Sequence, residues 1–333
     1  MKNILKIMAV LVCFIIFLTA CNSQDTYTAL NNSAPDSLSS ELAIGSSATQ
    51  EETAQTEPQI DLLETMSDCG KTVTVYGELQ KEQYTAAISE LQSVLDSYSR
   101  NISLTVYSIG NNKALMYNTK TPIFGACTVK AAYALYACKQ MENGNGNLGV
   151  PLIYEEKHYE PGTGDMQYSP FGTVFTVETA LYKSMSISDN VGYLMLVDYF
   201  GRDDYNAYMR ELGCDSLQIK PTVWSLHTKS NDLVKLWREI YNYFETDTDF
   251  SRFLYNSCTN TAGNYAAAAI SDIEYSHKQG NNSTGDWLSF SDAGIVWKGD
   301  NPYIISILTD APGPSGYDTE VFSKITKLIN KIF

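Results

Sequence analysis

Two strand-like pairs lie toward opposite ends of the chain's patterned segments, with a long helical stretch between them. That order limits the folds open to the chain. Ile102–Ile109 alternates apolar and polar residues at the period of a strand, Asn111-Asn112 is a turn signal, and Ala114–Tyr117 reads as the return strand. Ser291–Trp297 and Tyr303–Thr309 form a second pair around the turn Lys298-Gly299-Asp300-Asn301-Pro302. Helical patterns fill the interval, at 128–142, 175–200 and Leu233–Phe244. A helix over 81–99, with Tyr84, Ile88, Leu91, Leu95 and Tyr98 on one face, precedes the first pair. A helix over 318–333, with Val321, Ile325, Leu328 and Ile329 on one face, follows the last. The expected class is α+β: an antiparallel sheet flanked by helices, with a mostly helical subdomain. At 44% hydrophobic and 18% charged residues the chain has the composition of a packed protein.

The first 68 residues differ from the rest. Lys2 and Lys6 precede an apolar run, Ile7–Leu18, that is short for a membrane span. It ends Leu18-Thr19-Ala20-Cys21, which resembles a bacterial lipobox. That resemblance implies a signal peptide over 1–20, lipidation of Cys21 and an extracytoplasmic, lipid-anchored protein. An ordinary secretory signal with an incidental cysteine is the alternative. Residues 22–68 hold nine Asp or Glu and no Lys or Arg among many Ser, Thr and Gln, so 21–68 reads as an extended acidic linker. The working domain is expected over 69–333.

Several classes of function are disfavoured. The net charge of −15 is wrong for a nucleic-acid binder. The seven cysteines include no CxxC pair and the three histidines no i, i+4 pair, so no metal site is expected. The spacing Gly144, Gly146, Gly149 matches a nucleotide-binding fingerprint but follows a predicted helix, and it reads as a turn. No cofactor is expected. Cys127 and Cys138 lie too far apart on one helix to pair, whereas pairing among Cys69, Cys214 and Cys258 stays open. Tyr133, Tyr136, Tyr154 and Tyr159 line either a pocket or, more simply, helix and strand packing.

Three short motifs carry candidate chemistry. Cys127-Thr128-Val129-Lys130 opens a predicted helix, which places a thiol and an amine on one face. A helix N-terminus favours the thiolate, and a desolvated lysine is a possible base. A buried structural thiol is the plainer reading. Ser188-Asp189-Asn190 fits a helix cap as well as a site. His277-Lys278-Gln279-Gly280 fits the polar end of a strand leading into a loop at Asn281-Asn282.

Each motif alone is weak, but their order and spacing together resemble the penicillin-recognising acyl-transfer enzymes, namely class A β-lactamases and related D,D-peptidases. These carry Ser-x-x-Lys, Ser-Asp-Asn and Lys-[Thr/Ser]-Gly in that order. Pro161-Gly162-Thr163-Gly164, Phe175–Glu178 and Asp292–Thr309 extend the resemblance over roughly 82–333. It implies a nucleophile at Cys127, a base at Lys130 and a proton relay at Ser188. It also implies substrate contacts from Asn190, Lys278, Gln279, Gly280 and Asn281, with the N–H groups of Cys127 and Asn281 as oxyanion donors. The implied ligand is a small molecule or a peptidoglycan-stem acyl group, bound by a monomer.

The departures bear on turnover. Cysteine replaces the nucleophilic serine, and Gln279 replaces a hydroxyl residue. The stretch Leu212–Thr228, where class A enzymes carry Glu-x-x-Leu-Asn, contains no Glu, and Asp215 is its only carboxylate. Efficient β-lactam hydrolysis is therefore not expected. Three readings remain: an acyl-transfer hydrolase with slow deacylation, a catalytically inactive lipoprotein that binds a peptidoglycan-type ligand, or a structural or adaptor lipoprotein that uses another surface, for which no second motif speaks.

Overall fold

The computed structural model describes residues 61–221, 226–263 and 265–333. The expected signal peptide, the lipidation site Cys21 and the linker as far as residue 60 lie outside the described residues. The elements, in chain order, are α1 (Leu62–Thr65), β1 (Thr74–Gly77), α2 (Thr85–Ser97), β2 (Ile102–Ser108), β3 (Lys113–Tyr117) and β4 (Ile123–Phe124). Then come α3 (Lys130–Glu142), β5 (Pro151–Ile153), β6 (Val174–Thr176), α4 (Val177–Ser186), α5 (Asn190–Phe200) and α6 (Asp203–Glu211). The chain continues with β7 (His227–Thr228), α7 (Ser230–Phe244), α8 (Asp249–Thr259), β8 (Glu274–Asn282), β9 (Ser289–Trp297), β10 (Tyr303–Thr309) and α9 (Gly316–Ile332).

Six strands form one sheet in the order β1-β3-β2-β10-β9-β8, and every neighbouring pair is antiparallel. The expected α+β class is the observed one. β10 is the seam: it pairs with β2 from the first half of the chain, Ile305 opposite Val106, and with β9 from the second, Ile305 opposite Gly294.

The alternation in β2 is real, yet the whole strand is buried. Leu104 and Val106 join Ile305 and Ile307 in a core closed by Leu91 and Leu95 of α2 and by Phe322, Ile325 and Ile329 of α9. The polar positions face the helical subdomain instead of water. There Ser103 and Thr105 each lie 2.8 Å from the hydroxyl of Ser230, at the start of α7. Mutual hydrogen bonding removes the penalty of burying these hydroxyls. The second core lies beyond, around Trp237, Leu233, Tyr133, Leu135, Leu181 and Met185.

The fold begins before the composition break at 69. Leu62, Leu63 and Met66 pack against the helical core. Asp61 accepts a hydrogen bond from the Tyr107 hydroxyl (2.9 Å), and Asp68 pairs with Lys229 (2.5 Å) and Asn231 (2.7 Å). Acidic residues that read as linker are bound to partners far along the chain.

Two smaller differences from expectation lie beside the motif residues. The 175–200 helix is broken at 187–189, and β8 runs through Asn281 and Asn282, which were expected in a loop. Tyr133 and Tyr136 sit in an aromatic cluster with Tyr193 and Tyr205, so they serve packing; Tyr154 is buried and Tyr159 half exposed. The Gly144–Gly149 segment is a turn, and the five cysteines among the described residues are free thiols. No helix among the described residues is long and apolar enough to cross a membrane.

Candidate active site

Cys127 lies in a 3-10 turn, Ala126–Val129, that joins β4 to α3. The sequence placed it at the first turn of an α-helix; the α-helix starts three residues later, at Lys130. Ala126 holds φ at +45°, a region that side chains rarely adopt. Such strain persists where the surroundings impose it. Here the surroundings are the Thr128 hydroxyl, which donates to the Gly125 carbonyl (2.7 Å), and strand β8, which lies against the turn. Cys127 is 7% exposed, and Lys130 is fully buried.

The break between α4 and α5 supplies the second group. Asp189 is the helix cap that its residue type suggested. Its carboxylate accepts from the N–H of Gly192 (2.9 Å) and from that of Met166 (2.9 Å). The residues on either side of this buried anchor are turned toward Lys130. Ser188 is held at φ +61°. Lys130 Nζ donates to the Ser188 carbonyl and to Asn190 Oδ1 (2.7 Å). The Asn190 amide nitrogen in turn donates to the Pro161 carbonyl (3.3 Å). Both ends of this amide are thus engaged inside the protein, so its main visible work is to hold Lys130.

Strand β8 supplies the third group. Lys278 is fully buried, and its Nζ donates to the Ser188 hydroxyl at 2.7 Å and to the Gln279 carbonyl at 3.1 Å. Gly280 is where the strand touches the thiol-bearing turn. A Cβ there would lie 2.3 Å from the Gly125 carbonyl oxygen and 3.0 Å from the Thr128 methyl. Gly280→Ala should therefore push β8 off the turn. The expected cost is about 1–3 kcal/mol in a denaturant titration; an unchanged midpoint would show that the turn yields freely. The Gln279 side chain is tucked under Gly263, where any Cβ would overlap it, and its Oε1 is buried without a partner. Asn281 is exposed on the strand beside it.

The electrostatics follow from this packing. Burial pushes the Cys127 thiol up. The charges of Lys130 and then Lys278, with hydrogen bonds from Ser188 and Lys130, outweigh that and leave it below the usual thiol value. Burial lowers Lys130, although the nearby thiol opposes the shift. Burial is also the main cause that brings Lys278 down to about 8. Two lysines that shed protons easily, one hydroxyl bonded to the second of them, and a thiol inclined to ionise therefore share one buried cluster. Such a cluster can deliver a sulfur nucleophile and carry its proton away through nitrogen or through the Ser188 hydroxyl.

Cys127, Lys130, Ser188, Asn190 and Lys278 are brought together as the sequence suggested. Sequence reasoning missed Thr163, whose hydroxyl donates to the Ser188 carbonyl (2.6 Å) and whose own carbonyl accepts from the Asn190 N–H (3.2 Å). The Gly-Thr-Gly run was the available signal. Asp215 is exposed and accepts from the Gln218 side chain at 3.1 Å; residues 222–225 of the same stretch lie outside the described residues. Glu155, His158 and Asp198 converge elsewhere with the spacing of a metal site. However, the Glu155 N–H donates to His158 Nδ1 (3.1 Å), which puts the ring proton on Nε2, and Lys157 bridges Glu155 (2.8 Å) and Asp198 (3.0 Å). This is an ion-pair cluster.

Solved structures share the fold. PBP-A superposes with a TM-score of 0.67 at 18% identity, covering 75% of this chain and 96% of its own. A beta-lactamase from Chitinophaga pinensis gives 0.66 at 19%, covering 74% and 99%. The TLA-3 extended-spectrum beta-lactamase gives 0.66 at 17%, covering 74% and 98%. No curated protein matches in sequence. A model of the beta-lactamase enzyme family matches residues 86–333, from α2 to the last residue of the chain, and so takes in the thiol-bearing turn, the α4–α5 break and strand β8. The chain belongs to the beta-lactamase enzyme family.

Proposed function

We propose that the chain is an acyl-transfer hydrolase of this family in which Cys127 is the nucleophile. The carrying observation is the fully buried pair Lys130 and Lys278 converging on Ser188 beside a thiol that they draw toward ionisation. The sulfur of Cys127 attacks the carbonyl carbon of a cell-wall peptide, a β-lactam or a related acyl donor, and its proton passes to Lys130. The C–N bond breaks, the leaving nitrogen takes a proton through Ser188, and a thioester remains. Oxyanion stabilisation would come from the backbone N–H groups of Cys127 and Asn281. A donor of this kind is worth about 3 kcal/mol of barrier where the geometry is met.

Deacylation is slow in this reading. The stretch 212–228 has no Glu, and its one carboxylate, Asp215, is exposed and already bonded to Gln218. The resemblance at residues 1–21 supports a lipid anchor on Cys21 and an extracytoplasmic location, with the acidic segment as a spacer. Recognition of a substrate carboxylate falls to the charge of Lys278; the Gln279 side chain lies against Gly263.

A second reading is a binding protein that has lost turnover. It is favoured by the engagement of Asn190 at both ends. Intact mass of the protein with a penicillin and with a cephalosporin, followed over hours, separates the two. The first reading expects an adduct of the drug's mass that persists for hours and is absent from Cys127→Ala. No adduct, with Cys127 inert to a small alkylating reagent, would select the second. Rapid drug consumption without an adduct would mean efficient turnover and would overturn slow deacylation.

A further inference from the structure

A hydrogen-bonded relay stands apart from the thiol cluster. His277 precedes Lys278 on β8, and alternation sends the two side chains to opposite faces of the strand. Its ring is 3% exposed and stacks on Tyr275, with centroids 4.4 Å apart and planes 17° apart. Nδ1 lies 2.8 Å from Oδ1 of Asp292, a carboxylate on β9 that is 1% exposed. The second oxygen of Asp292 accepts from the N–H of Ala266 at 3.3 Å. Nε2 lies 2.5 Å from the hydroxyl of Thr261.

One proton arrangement of these contacts suits a hydroxyl nucleophile. Asp292 only accepts when ionised, so Nδ1 of a neutral ring carries the proton and Nε2 presents its lone pair to the Thr261 O–H. The threonine oxygen is thereby polarised by a base that is itself oriented by a buried carboxylate. Carboxylate, imidazole and hydroxyl in this order form the arrangement that activates hydroxyl nucleophiles on unrelated folds. Of the three residues only Thr261 is not fully buried. Thr261 is half-buried, and its neighbours Asn260, Ala262 and Gly263 are exposed. The segment is pinned beside the helix break by the Ala262 N–H, which donates to the Ser186 carbonyl at 2.6 Å.

We propose that Thr261, His277 and Asp292 form a second nucleophilic site, independent of Cys127, that accepts the acyl group of small activated esters. Thr261 Oγ attacks the ester carbonyl carbon and its proton moves to His277 Nε2. The C–O bond to the leaving alcohol breaks, and that alcohol takes the proton from Nε2, which leaves an acyl-threonine. A fluorophosphonate reports the same reactivity: the Oγ–P bond forms, the P–F bond breaks, and fluoride leaves as the proton goes to His277.

The test is peptide mapping by mass after treatment of the wild-type protein with an alkyl fluorophosphonate. The expected result is an adduct on Thr261, formed equally in Cys127→Ala. His277→Gln should label about a hundredfold more slowly, the usual scale for loss of a positioned base. Because the adduct is mapped on the wild-type chain, a variant that fails to fold does not obscure the answer. A folded wild-type protein without an adduct at Thr261 overturns the site and leaves the three residues as a structural clasp. Labelling of Thr261 at the same rate in a folded His277→Gln would also overturn it. Neither outcome touches the reading of Cys127, which rests on a different adduct at a different residue.

Discussion

Lys130→Met should slow alkylation of Cys127 by iodoacetamide at neutral pH about ten- to a hundredfold, and should shift the alkaline rise of the rate to higher pH. The thiol is buried, and burial alone would hold it in the neutral, unreactive form. Lys130 is the largest opposing influence, Lys278 the next. Removing that cation while keeping a side chain of similar length leaves burial opposed only by Lys278 and the Ser188 hydrogen bond. A thiol moved up by the loss of Lys130 has a smaller thiolate fraction below its titration range, and alkylation slows in proportion. The sign also extends to stability. A thiol held lower in the folded chain than in the unfolded one contributes stability that is present above the unfolded value and lost as pH falls through the folded one. The variant should therefore show less loss of stability on acidification through that window. An unchanged rate profile in a folded Lys130→Met would mean that Lys130 does not ionise the thiol, and the proposed base would have to be found elsewhere.

The sheet was legible because its strands are long and differ in sequence from the helices around them. β2 alternates, β10 is nearly continuous in Ile and Leu, and each is bounded by turn residues. What alternation could not tell was that both faces of β2 are covered. A serine facing a second serine inside a protein has the same sequence signature as a serine facing water, and only the position of Ser230 resolves it. The domain start was misplaced for a related reason. Asp61 and Asp68 look like linker acids until Tyr107 and Lys229, far along the chain, are brought to them.

The site was legible where it depends on short spacings and opaque where it depends on contact. Cys127 and Lys130 are three residues apart, so almost any helical turn brings them to one side. The dual part played by Ser188-Asp189-Asn190 was half visible: Asp189 caps α5, as its residue type suggested, and that buried cap is what fixes its two neighbours against Lys130. His277 read as a polar strand end, since nothing local marks Thr261 or Asp292 as its partners. Gln279 read as a substrate contact, and nothing local shows that its side chain lies against Gly263. In both cases the deciding neighbour comes from the segment after α8, which packs across β8 from outside the motif.

Lys278→Met should stabilise the fold at neutral pH while impairing acylation, and the gain should vanish in alkali. Lysine titrates near 10.5 when exposed, and burial brings Lys278 to about 8 in the fold. Between these values the unfolded chain binds a proton that the folded chain has released. Stability therefore rises with pH across that window; the contribution is full above about 10.5 and is lost as pH falls through about 8. A difference of this size corresponds to roughly 3 kcal/mol, carried as a burden by the native state at pH 7. Methionine removes the burden and fills a similar volume, but it forfeits the hydrogen bonds to the Ser188 hydroxyl and the Gln279 carbonyl. Those are worth about 1 kcal/mol each. The net expectation is a gain of about 1 kcal/mol at pH 7 and a loss of about 2 kcal/mol near pH 10.5, read from urea midpoints of the two proteins at each pH. A variant equally destabilised at both would show that Lys278 keeps an ordinary lysine titration in the fold. The crossing of sign with pH is the signature of a cation held in the site against its own solvation, where its charge draws the Cys127 sulfur toward ionisation.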